Sequence, residues 1–422
     1  MLPLQSPLEA YRADLSRNPN RTDFGRSDTV WLLVAHCLHR LSRAQGEARR
    51  SIAENCALAI GDLASTVSPD TPDEAEMITQ LARIRAGLPL IDTRAGASDV
   101  VASARALADQ MAEAGALWLA YSALGHVRIA AGAAPVRDLG LAMADQAWVA
   151  RSLGDVESAD ELYEGVSAAG EQHGERELQA RAQLGLGVNA RVRGNYPKAR
   201  RAFQEGLRIA TEAGLSEMQS VGHHGLLIAA IAAADLDTAL VHGWAAYELA
   251  RGNADREAEL LINISHVSLM AGYPAAALRG SLASLQRSAG ARLRIPSLGG
   301  AAVAAARIGN RQLVGMLARV AEETLLSAGL PFESASALRS LSEAFELIGD
   351  AARAEDYRLR ARALARKNGF FEIVLATEPK DTPAEAKPAV KRHHLTRESL
   401  NVIESLESMD SEVDAALLAL TA

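Results

Sequence analysis

The chain has 422 residues and a formal net charge of −8, with a pI near 5.8, which excludes phosphate-backbone binding as its main activity, so no nucleic-acid partner is expected. Hydrophobic residues make up 49% but aromatics only 4%, so the core must be built largely from Ala, Leu and Val. Two cysteines, Cys37 and Cys56, are too few for a disulfide framework and read as reduced, buried thiols of a cytoplasmic protein.

Residues 1–27 mix Pro, Asn, Arg and Asp without a sustained period and read as an irregular, loosely attached arm. They lack the basic start and apolar run of a signal peptide. From Asp28 the pattern turns helical. Trp31, Leu32, Val34, Ala35, Leu38 and Leu41 predict one helix, Ile52 to Leu63 a second, and Asp73 to Ala86 a third after the break at Ser68-Pro69-Asp70-Thr71-Pro72. Residues 1–95 are therefore expected to form divergent helical hairpins that cap a stack. The longest apolar stretch, Ala114 to Ala134, contains His126 and Arg128. A charged side chain near a bilayer centre costs about 2.5–3.5 kcal/mol, so no membrane span is expected there.

From Ser98 to Asn368 helices follow with little interruption. The clearest unit is Gln179 to Gly214: Leu184, Gly187 and Val188 share one helical face, Gly194 ends that helix, and Tyr196, Ala199, Phe203, Gly206 and Leu207 form the stripe of a second. Gly154-Asp155 with Ala159 and Tyr163 stands 40 residues upstream, and Ala234-Asp235 with Ala239 and Gly243 stands 40 downstream. Weaker copies follow at Gly272-Tyr273, Gly309-Asn310 and Gly349-Asp350. These residues resemble the tetratricopeptide repeat, whose small residues, Gly-(Asp/Asn)-Tyr turn and aromatic recur in this order. The resemblance implies an all-α fold, a right-handed α-solenoid of stacked antiparallel helical hairpins over residues 96–375. Family repeats are about 34 residues long, so 40 implies longer helices or loops in each pair.

After residue 375 the composition shifts to a Pro-rich, charged segment, 376–395, which reads as a flexible linker with the basic cluster Lys387, Lys391, Arg392, His393, His394 and Arg397 at its end. In residues 396–422 the helical period returns. Leu400, Ile403, Leu406, Met409, Val413 and Leu417, spaced three or four apart, predict one amphipathic tail helix carrying Glu398, Glu404, Glu407, Asp410, Glu412 and Asp414.

Catalytic signatures are absent, so no enzyme and no cofactor are expected. Gly185-Leu186-Gly187 has no preceding strand and reads as helix packing rather than a dinucleotide loop. His36, Cys37 and His39 are close enough for a metal but supply too few ligands, and they read as core residues; no metal is expected. In the tetratricopeptide family the first helix of each pair lines a concave groove. Anchored on the turn glycines, the resemblance places there Leu141, Ala144, Trp148 and Arg151, then Arg181, Leu184, Val188 and Arg191, then Val221, His224, Ile228 and Ile231, then Ala258, Leu261, Ser265 and Ser268. Trp148, Val188 and Ile228, at intervals of 40, would form an apolar ladder, and Arg151 and Arg191 a basic edge. The implied function is a protein- or peptide-binding scaffold or adaptor, whose partner is amphipathic or acidic. The acidic tail fits that description, and is expected to cap the last hairpin, to lie in the groove as a self-inhibitor, or to dock in trans and self-associate. The alternative is a ligand- or peptide-sensing module of a bacterial signalling or transcription system.

Overall fold

The computed structural model describes residues 2–17, 26–66, 71–287, 290–328, 330–378 and 392–421. Among these, every regular element is a helix, and the chain groups into two units, 1–218 and 219–422, the boundary falling in the sequence of one helix.

The first unit opens with a correction. Residues 2–17 are not a loose arm: they hold α1 (Pro7–Arg17), with Ala10, Tyr11 and Asp14 buried. Ser6 and Glu9 cap its start reciprocally, the Ser6 amide donating to Glu9 Oε2 at 3.0 Å and the Glu9 amide to Ser6 Oγ at 3.4 Å. Next come α2 (Arg26–Arg43), α3 (Gly46–Thr66), α4 (Pro72–Gly87), α5 (Arg94–Glu113) and α6 (Leu117–Ala130). The Asp14 carboxylate accepts from the Trp118 and Leu119 amides at 2.8 and 2.9 Å, so a residue of the N-terminal helix caps α6. Cys37 and Cys56 are buried on α2 and α3, and a thiol–thiol hydrogen bond, with burial, pushes the Cys37 pKa up.

Six hairpins follow at the positions the sequence marks: α7 (Val136–Ser152) with α8 (Val156–His173), α9 (Arg176–Val192) with α10 (Tyr196–Glu212), α11 (Ser216–Ala232) with α12 (Leu236–Leu249), α13 (Ala254–Met270) with α14 (Pro274–Arg287), α15 (Ala291–Ile308) with α16 (Arg311–Ala328), and α17 (Pro331–Leu347) with α18 (Ala351–Asn368). The repeat is long because its helices are. In α9 and α10 both run 17 residues, joined by a three-residue turn.

The turn works in two steps. Gly154, Gly194, Gly272, Gly309 and Gly349 take positive φ, and the next amide bonds back five residues, as Asn195 does to the Ala190 carbonyl at 2.9 Å. That same next residue then caps the second helix. Asp155, Asn195, Asp235, Asn310 and Asp350 each accept from the amide three residues on, at 2.9–3.2 Å. The motif thus ends one helix and starts another. Ala234 replaces the glycine in the third hairpin and still adopts φ 56°, the one positive-φ non-glycine residue among those described.

Close packing follows from the small residues. Gly185 and Gly187 lie inside α9, where an added Cβ would come within 2.3 Å of Tyr163 and 2.7 Å of Phe203 respectively. Stacking in the first unit has a 40-residue register, seen in Ser98 with Asp138, Arg105 with Asp145 at 2.5 Å, and Arg137 with Glu177 at 2.6 Å.

In the second unit a short helix, α19 (Phe371–Ala376), covers the last hairpin through Ile373, packed with Ala335 and Ala365. Residues 379–391, the middle of the expected linker with Lys387 and Lys391, lie outside the described residues. The tail forms two helices, α20 (Arg397–Glu407) and α21 (Asp410–Thr421), where a single one was expected. The break falls in Ser405-Leu406-Glu407-Ser408-Met409-Asp410-Ser411, a run whose three serines and aspartate favour caps over helix interior.

Candidate binding surface

The first helices α5, α7 and α9 of the first unit hold most of the side chains with chemistry to offer. Asp145 on α7 sits between two guanidiniums, accepting from Arg105 Nε at 2.5 Å and from Arg181 Nη1 at 3.2 Å. One turn along α7 stands Trp148, 39% exposed. Together with Asp109, Tyr163 and Glu217 these residues wall a cavity of about 570 Å³ whose floor is largely alanine: Ala102, Ala106, Ala108 and Ala144. Tyr163 is buried, and burial raises its pKa. Asp109 is an exposed carboxylate at the cavity's edge, and partial desolvation, then the Asp145 charge, raise its pKa against the pull of Arg105.

Of the residues expected to line a groove in this unit, Ala144, Trp148 and Arg181 meet at the cavity, while Arg151, Val188 and Arg191 are half-buried on α7 and α9. The expected basic edge is half consumed. Arg151 donates to Asn189 Oδ1 at 3.1 Å, and the buried Asn189 in turn donates to Asp160 at 2.8 Å. Arg191 has no hydrogen bond or ion pair among the described residues. In the second unit Ile228 and Ile231 are half-buried on α11, and His224 Nε2 stands 3.3 Å from Asn263 Nδ2.

Leu141, Leu184, Ala258, Leu261, Ser265 and Ser268, also expected in the groove, are buried. Longer helices put more residues between neighbours than a 34-residue repeat does, so fewer positions are left for a groove. Arg105, Asp109 and Asp145 were missed, although Arg105 and Asp145 share the 40-residue interval of the turn glycines. His39 faces His126, Nδ1 to Nε2 at 3.0 Å, with the Gln5 carbonyl 3.1 Å from the same Nε2, while His36 lines a shallow apolar pocket with Pro7, Leu8, Thr29, Leu32 and Leu33.

The tail neither fills a first-helix groove nor caps the last hairpin. It packs chiefly along the second helices α12, α14 and α16. Ile403, Leu406 and Met409 are buried, as are Val402, Ala416 and Leu420, while Leu400, Val413 and Leu417 are half-buried. Asp237 Oδ1 holds the tail's start, accepting from the Thr396 amide at 2.8 Å and its hydroxyl at 2.9 Å. Arg287 holds its middle, between Glu257 at 2.8 Å and Glu412 at 3.1 Å, and Arg279 pairs with Asp410. From the basic cluster, Arg392 lies over the Tyr273 ring, 5.1 Å from its centroid.

No family model matches the chain, and no curated protein matches it. Among solved structures, a signal transduction ATPase with numerous domains that carries a tetratricopeptide repeat sensor, from Pyrococcus horikoshii, is 10% identical, covering 88% of this chain and 74% of its own, with a TM-score of 0.51. The chain has a helical-repeat fold. BtubC from P. vanneervenii is 14% identical over 75% of this chain and 97% of its own, at a TM-score of 0.37, and a circular tandem repeat protein is 14% identical over 94% and 99%, at 0.20. Among the described residues no helix is long and apolar enough to cross a membrane.

Proposed function

We propose that this chain is a tetratricopeptide-like scaffold or adaptor that binds an amphipathic segment of another protein along the first helices of its hairpins. The observation that carries this reading is Trp148, a large aromatic held 39% exposed beside a cavity, where half-exposed indoles in soluble proteins commonly anchor a partner. Val188, half-buried 40 residues on from Trp148, would extend the apolar strip, and Arg191 would offer its guanidinium to an acidic residue of the partner.

Selecting peptides from a displayed random library against the full chain tests the proposal. Peptides that bind wild type should be lost with Trp148→Asp combined with Arg191→Glu, both at solvent-facing positions. Equal binding to both proteins would reject it.

A second reading, a sensor module, is supported by the cavity and by the likeness to a protein described as carrying a tetratricopeptide repeat sensor. Under that reading a small ligand would fill the cavity, and its binding would survive Arg191→Glu but not Trp148→Asp.

A further inference from the structure

The charges around the cavity are unevenly used. Both guanidiniums on its wall, Arg105 and Arg181, are bonded to the same carboxylate, Asp145. The two remaining carboxylates, Asp109 on α5 and Glu217 on α11, have neither a hydrogen bond nor an ion pair among the described residues. Asp109 lies one helical turn beyond Arg105, whose Nε is directed to Asp145 instead. What the cavity offers an incomer is therefore two uncommitted carboxylates and an indole face, over a floor of alanines.

We infer that this cavity is a seat for a cation, the guanidinium or ammonium group of an Arg or Lys side chain on the bound segment. Arg181 keeps one buried N–H, at Nε, without a partner, but an anion reaching it would face three carboxylates, Asp109, Asp145 and Glu217, against two guanidiniums that already share Asp145. A neutral apolar group would cover Asp109 and strip it of water without replacing a hydrogen bond. A cation replaces that water with a charge-assisted hydrogen bond and can stack on Trp148, the geometry in which indole binds positive charge best. The upward push on the Asp109 pKa from Asp145 agrees, since it reports negative potential at that carboxylate which a bound cation would relieve. The seat deepens the peptide-binding reading: the partner is amphipathic, with one basic residue placed at α5–α7 and acidic residues toward Arg191. The arginine edge read from the sequence, Arg151 and Arg191, pointed to acidic residues on the partner, and the internal partner of Arg151, Asn189, was not visible there.

The test uses the full chain labelled with 5-fluorotryptophan, its Trp148 signal assigned by Trp148→Phe. Fluorine NMR then follows titration with N-acetyl-arginine methylamide and with its neutral isostere, N-acetyl-citrulline methylamide. The expected result is a saturable shift of the Trp148 signal with the arginine probe, and affinity lower by about tenfold or more for citrulline and for Asp109→Asn, the size of one lost charge-assisted hydrogen bond. Glu217→Gln, at an exposed position on another helix, supplies a second variant that should weaken the same titration. No saturable shift, equal binding of both probes, or wild-type affinity in both variants would overturn the inference. The two readings fail separately. Selected peptides without a basic residue would leave the peptide-binding surface standing and remove the cation seat, whereas a bound arginine probe with no selectable peptide would do the reverse.

Discussion

Ala234 stands where five other hairpins place glycine, and it adopts the left-handed conformation without glycine's freedom. For an L-residue that conformation costs about 1–2 kcal/mol, part of which glycine would return as unfolded-chain entropy. Ala234→Gly is thus expected to raise stability by up to about 1 kcal/mol, and Gly194→Ala to lower it by about 1–2 kcal/mol, both read from urea midpoints. A loss of stability in Ala234→Gly would show that its methyl group does something the turn geometry does not explain. A second residue-scale device is the pair His223 and His242, whose Nδ1 atoms lie 2.9 Å apart between α11 and α12. Burial, then the charge of His242, pushes His223 down to about 4; burial also lowers His242, opposed by Glu398 and Asp235. The folded state resists protons that the unfolded chain takes up below about 6.5. The pair's full stability is present above that value and is lost as the pH falls toward 4. The fall in urea midpoint between neutral and mildly acid pH should be smaller in His223→Gln with His242→Gln than in wild type. An identical fall in both would remove the pair from the account.

At the scale of elements, the hairpins were legible because one short motif does two jobs: a left-handed residue closes a helix and the Asp or Asn after it caps the next. That chemistry is local, so it shows in the sequence at Gly154-Asp155, Gly194-Asn195 and Gly349-Asp350. The start of α1 was legible by the same logic, through Ser6 and Glu9, but the surrounding Pro, Asn and Arg obscured it. What could not be read was who faces whom across helices. Leu184 and Trp148 look alike as apolar groove positions, yet one is buried and the other is 39% exposed. The tail shows the same limit, since its amphipathic period marked a docking helix without saying which face receives it. Leu406 is fully buried among Ala283, Ile403 and Met409. Leu406→Ala should therefore cost about 2–5 kcal/mol, while Glu407→Ala, exposed one residue on, should stay within about 0.5 kcal/mol. If Leu406→Ala left thermal stability unchanged but abolished a self-association, the tail would be docking in trans.

At the scale of the whole chain, each unit commits a different set of helices. In the second unit second helices carry the chain's own tail, and in the first unit first helices present Trp148, Val188, Arg191 and the cavity. The most direct measurement is site-specific photo-cross-linking with a selected peptide, placing p-benzoylphenylalanine at Val188 on α9 or at the exposed Arg201 on α10. The peptide should be captured from Val188 and not from Arg201; capture from Arg201 alone would contradict binding along the first helices.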